Sequence, residues 1–173
     1  MVVLIDFEGF QHKDSPMIIK ELAIYDLTAG YLWHTILPPP PLKINNERRK
    51  QFMLLTTTVH GLDYHYNPYN TFKYDRKIKD ASSMIRSLNV DQVFAKGLDK
   101  ANRLSQLLSV RVDNLEDVLP AEFQSSARDK SLPCTVQCPY NHLFHTNCAI
   151  VRVQHFAKVL YAMTVCSPRL LNF

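Results

Sequence analysis

Three runs rich in apolar and β-branched residues open the chain, with only short polar turns between them. They are VVLIDF (residues 2–7), IIKELAIYDL (18–27) and YLWHTIL (31–37). Such runs favour buried strands, because branched side chains pack well on a pleated surface. Gly9 and the polar stretch 11–15 supply the first turn, and Thr-Ala-Gly at 28–30 supplies the second. Connections this short join antiparallel neighbours, so the chain must begin as a meander. Four prolines at 38–41 end that sheet edge, since proline has no amide to give to a ladder. We read them as a strand-exit loop, although such a run also has the polyproline II character that partners bind.

After the prolines the pattern turns helical. Asn46 can cap a helix through ERRKQFMLLTT. The tract HGLDYHYNPYNTFKY (60–74) reads as a loop. A helix over 79–88 puts Ala81, Met84, Ile85 and Leu88 on one face. VDQVFAKG reads as strand and turn, and LDKANRLSQLL as a helix with Leu98, Ala101, Leu104 and Leu108 in register. VRVDNLEDVL reads as another strand, and residues 120–147 as polar and irregular. A last helix from about Cys148 to Met163 carries Ala149, Val153, Phe156, Leu160 and Met163 on its apolar stripe, with Arg152, His155 and Lys158 facing away. The expected architecture is α/β: a mixed sheet, antiparallel first and parallel after, flanked by helices. A chain of 173 residues fits one domain, 1–173, with no internal repeat.

Composition narrows the class. Hydrophobic residues make up 46% and charged residues 21%, as in ordinary globular proteins, and no long uncharged apolar run predicts a membrane span. The opening MVVLIDFEGF meets a carboxylate too early for a secretory h-region. The expectation is an intracellular protein, cytoplasmic or nuclear, whose four cysteines are thiols or metal ligands. A net charge of +4 is compatible with a nucleic-acid partner without demanding one.

Asp6 and Glu8 are the first candidates for chemistry. Two apart on a strand, they share a face. Paired carboxylates there suit Mg²⁺ or Mn²⁺ beside a phosphate, while a solvated strand end is the structural alternative.

In order along the chain, DFEGF, TTVHGLDY, VDQVFAKGLDKANRL and VRVDNLEDVL resemble the segments of the DEDD 3′–5′ exonucleases, which have the RNase H-like fold. The resemblance covers most of the chain, and it has departures. A His-Asn pair of those enzymes is replaced by Lys96-Gly97. Their second-motif aspartate falls near Lys100 or Ala101, and Asp99 fits only with a shifted register. Cys148 stands where an aspartate would precede the last helix. Lys96 and Lys100 would put positive charge beside the pocket, which opposes metal loading and suits a phosphate.

These losses are similar to those of the Maelstrom domain, an RNase H-like relative without the catalytic carboxylates. The resemblance implies a Glu-Cys-His-Cys zinc set, matched here in order by Glu116, Cys138, His142 and Cys148. The retained Asp6 and Glu8 depart from that pattern, as does the lack of an HMG box in this sequence. The donor types suit a closed, tetrahedral, structural Zn²⁺ site. Cys134 competes with Cys138, and His145 with His142. The alternative is free thiols, with Cys148 buried at a helix start.

Softer signals point to RNA. Arg48, Arg49 and Lys50 cluster on the first predicted helix. Lys73, Arg76 and Lys77 lie in or after the aromatic tract 64–74. Rings beside cations suit single strands, whose bases stack and whose phosphates need counter-charge; a solvated loop is the alternative. Three functions follow. The preferred one is an RNA-binding domain with structural zinc and residual endonuclease activity, acting with protein partners in small-RNA or mobile-element silencing, a role implied by the resemblance. The second is a Mg²⁺- or Mn²⁺-dependent 3′–5′ exonuclease using Asp6 and Glu8. The third is a catalytically inactive protein scaffold.

Overall fold

A computed structural model describes residues 1–12, 15–67, 73–119 and 148–166. The meander forms as expected: β1 (Val2–His12), β2 (Ser15–Asp26) and β3 (Tyr31–Ile36) pair antiparallel. Helix α1 (Asn46–Leu55) runs into a wider π turn, Thr56–His60. Then come α2 (Tyr74–Ser87), β4 (Gln92–Ala95), α3 (Leu98–Leu108), β5 (Asp113–Asn114), a 3₁₀ turn (Leu115–Asp117) and α4 (Ala149–Cys166). β4 joins β1 in parallel and β5 joins β4 in parallel, giving the order β3-β2-β1-β4-β5. The chain is thus α/β with a five-stranded mixed sheet in an RNase H-like arrangement.

Strand alternation assigns the two faces. Val3, Ile5 and Phe7 of β1 point into a core shared with Ile78, Ala81 and Ile85 of α2 and with Ala101, Leu104 and Leu108 of α3. Leu4 belongs to the opposite core, with Ala23, Phe94 and the α4 residues Val153, Phe156 and Leu160. Each Val, Leu, Ile or Phe among these, fully buried, contributes about 1.5–3 kcal/mol through loss of apolar surface to water. By the same alternation Asp6 and Glu8 lie on the α4 face of the sheet. Among the described residues no helix is long and apolar enough to cross a membrane.

A β-bulge bends the sheet beside that carboxylate pair. Glu8 pairs with Glu21 but Gly9 pairs with Ile19, which leaves Lys20 as the extra residue on β2. Gly9 is needed there: a Cβ would sit 2.0 Å from the carbonyl oxygen of Ile18. Beyond the bulge, Phe10 and Ile18 form a third, smaller core with Phe52 of α1 and with Tyr64.

Several boundaries differ from expectation: β1 runs through Gly9, where a turn was expected, to His12, β2 begins at Ser15, and three others lie further along the chain. Asn45, not Asn46, caps α1; its Oδ1 accepts from Arg48 N at 2.9 Å. Helix α2 begins at Tyr74, a full turn before residue 79. The expected strand over 110–119 pairs only at Asp113 and Asn114. The Asn114 side chain bends the chain out of the ladder: Oδ1 accepts from Glu116 N (3.2 Å) and Gly97 N (3.0 Å), and Nδ2 donates to Asp117 (2.9 Å).

Candidate functional site

The carboxylates of β1 lie inside a network of charges. Asp6 is 1% exposed. Lys100 of α3 donates from Nζ to Asp6 Oδ1 (2.5 Å) and to the Phe7 carbonyl (3.1 Å). Arg152 of α4 donates from Nε to Asp6 Oδ2, from Nη2 to the same Phe7 carbonyl (3.0 Å), and pairs through Nη1 with Glu8 Oε1 (2.5 Å). Both oxygens of Asp6 therefore carry a fixed cation. Lys100 also lies 5.0 Å from the centre of the Phe7 ring.

Electrostatics follow from this geometry. Burial alone would push the Asp6 carboxyl up, but the charges and hydrogen bonds of Arg152 and Lys100 outweigh it and hold the group below its ordinary value. Burial likewise works against the Arg152 charge, and Asp6, Glu8 and Glu21 more than restore it, so its pKa is raised. The pair is charged, desolvated and mutually dependent.

A second carboxylate, Glu21, extends the network along β2. It is fully buried. Its Oε2 accepts from Ala149 N (3.0 Å), the first amide of α4, where a negative charge is favoured. Its Oε1 meets His34 Nε2 of β3 at 2.9 Å and accepts from the Cys148 thiol at 3.7 Å. Glu21 thus anchors the start of α4, one helical turn before Arg152.

The sequence located Asp6 and Glu8, and the structure brings them together. It brings Lys100 to them as well, bonded to Asp6. Lys96 lies with Nζ 5.7 Å from the centre of the Phe156 ring on α4. Arg152 was expected to face away from the core and instead points at the sheet, pairing with Asp6 and Glu8. Four residues, one helical turn, separate it from Cys148, so the two share a face of α4; that spacing was the available signal. Glu21 and Lys20 were missed, although two adjacent charges interrupting a buried strand were visible in IIKELAIYDL.

Of the expected zinc ligands, Glu116 is half-buried in the 3₁₀ turn and Cys148 is buried just before α4. Their elements adjoin, since Leu115 and Cys148 pack in the same core. Cys138 and His142, with the competitors Cys134 and His145, lie outside the described residues. Among the described residues no group of three or more His, Cys, Asp or Glu side chains is placed to hold a metal.

The expected RNA-binding cations divide by position. Arg49 and Lys50 are exposed on α1, and Arg48 is half-exposed. Lys73 and Arg76 are exposed at the start of α2, with Lys77 half-buried. A cleft of about 300 Å³ opens beside α1, lined in part by Arg49, Phe52, Met53 and Tyr64. Behind it, the buried Lys20 donates to the Tyr66 carbonyl; burial lowers its pKa to about 8, against the attraction of Asp63. Compared with protein-family models and with curated protein sequences, the chain matches none.

Proposed function

We propose that this protein is an RNA-binding domain of RNase H-like architecture whose nuclease-like centre is neutralised from within. The observation that carries the reading is the pair of cations on Asp6. Two-metal hydrolysis needs carboxylate oxygens free to bridge ions about 4 Å apart. Here Lys100 takes one oxygen of Asp6 and Arg152 takes the other and also Glu8. A divalent ion would have to displace buried, hydrogen-bonded cations, leaving them desolvated and unpaired. Fixed cations supply the counter-charge to Asp6 and Glu8 without a Lewis acid or an activated water, so they disfavour cleavage at that pair. Exposed positive charge lies instead on α1, at Arg49 and Lys50, and at Lys73 just before α2, which suits a polyanion.

The resemblance to the Maelstrom domain supports the same direction: RNA binding in small-RNA or mobile-element silencing, alongside protein partners. It also supports a structural Zn²⁺ held by Glu116, Cys138, His142 and Cys148. Thiolate, imidazole and carboxylate donors fit that ion, and Glu116 and Cys148 start from adjoining elements. Such a site would pin the start of α4 to the sheet.

A 3′-labelled single-stranded RNA tests the reading. With Mn²⁺ present, the protein should retain the RNA at low salt, release it as salt rises and leave its length unchanged. Shortening of the RNA that disappears in both Asp6→Asn and Glu8→Gln would establish the exonuclease instead. No retention at low salt would leave the scaffold reading.

A further inference from the structure

The nuclease-like centre is a poor seat for a phosphate. Asp6, Glu8 and Glu21 converge there against Lys100 and Arg152, so any negative excess repels an anion. The cleft beside α1 has the opposite character. Its inner wall is aromatic: Phe52 and Tyr64 stack with ring centres 5.0 Å apart, and both are almost fully buried. Its mouth carries Met53, which is 65% exposed, and the exposed His65, set edge-on to Tyr64 with ring centres 5.1 Å apart. Arg49 lines it and has no ion-pair partner among the described residues; neither have Lys50 and Lys43, the sequence neighbours of the lining residues Arg49 and Ile44. One carboxylate of the wall, Asp63, lies within reach of the buried Lys20.

An apolar slot with surplus cations at its rim suits a ligand that is flat and apolar at one end and anionic at the other. A volume of about 300 Å³ is at the small end of ligand sites, enough for one planar group and not for a peptide helix. We propose that this cleft takes a single unpaired RNA base, with the flanking phosphates on Arg49 and Lys50. The base slides between Met53 and His65 onto the aromatic wall. Stacking and cation contacts of this kind bind single strands without reading sequence. A duplex, whose bases are stacked on each other, cannot offer one.

The inference rests on the RNA-binding reading, and one experiment separates the two. Fluorescence anisotropy of a labelled poly-uridine strand is measured with the whole chain and with Arg49→Glu, Met53→Glu and Lys158→Glu, all checked for folding by circular dichroism. Lys158→Glu removes a comparable exposed charge from α4, which contributes nothing to the cleft. The expected result is a loss of about tenfold or more for Arg49→Glu and Met53→Glu, little change for Lys158→Glu, and weaker binding of a matched duplex. Photocrosslinking of a 4-thiouridine strand should label peptides from 49–65. Tight binding by the unaltered chain, with all three variants alike or the duplex bound equally well, overturns the cleft and leaves RNA binding intact. Absence of binding by the unaltered chain removes both.

Discussion

At the residue scale, Arg152 carries the most weight. Among the described residues it is the one side chain that touches both carboxylates of β1, and it is one-fifth exposed. Replacing it with Gln leaves Asp6 buried with Lys100 alone. Breaking such a pair costs about 3–5 kcal/mol, to be read from urea unfolding. Lys100→Met should cost less, because Lys100 is the more exposed partner. The pH dependence follows. Asp6 has a lowered pKa when folded, so the unfolded chain binds the extra proton; the contribution is present above the ordinary carboxylate range and is lost as pH falls through the folded value. Unfolding midpoints should therefore drop on acidification, and less steeply in Arg152→Gln. Lys20 behaves differently. Its folded pKa is about 8 against an ordinary 10.5, so burial of its charge costs stability below pH 8, and the cost fades toward pH 10.5. Lys20→Met should gain stability at neutral pH and flatten that alkaline slope. Asp6 and Glu8 were legible as a D-x-E at a strand end. Of their partners, Lys100 was legible through the resemblance, as a positive charge beside the pocket, whereas Arg152 was not, because helical periodicity alone placed it on the polar side.

At the element scale, α4 is held at its start by Glu21 on Ala149 N and one turn later by Arg152. The proposed zinc would add a third anchor through Cys148. Elemental analysis of the purified protein should find about one zinc per chain, lost in Cys138→Ser and Cys148→Ser alike. Zinc-free wild-type protein with undiminished stability would remove that anchor. Periodicity served the elements unevenly. The span Leu98–Leu108 was readable, because Ala101, Leu104 and Leu108 mark one buried stripe, but Leu98, expected in the same register, is exposed. β5 was not, because the side chain of Asn114 competes with the ladder for its own backbone, and no alternation pattern reports that. The bulge at Gly9 was equally hidden. A glycine in a strand announces a close approach but not which residue it displaces, here Lys20.

On the scale of the whole molecule, the meander followed by strand–helix–strand units sufficed to give a mixed sheet, because connection length decides which strands run antiparallel. The strand order then brings β1, α3 and α4 together, and the helices supply the two basic side chains, Lys100 and Arg152, that pair with the β1 carboxylates. Exposed positive charge lies elsewhere, at Arg49 and Lys50 of α1 and at Lys73 just before α2. The most direct test is calorimetric titration of Mn²⁺ into the metal-free protein, with Glu8→Gln alongside. With Lys100 and Arg152 holding Asp6 and Glu8, the two proteins should give the same isotherm, showing no ion bound at that pair. Stoichiometric Mn²⁺ binding that vanishes in Glu8→Gln would contradict the account, because the carboxylates would then be free to hold a metal.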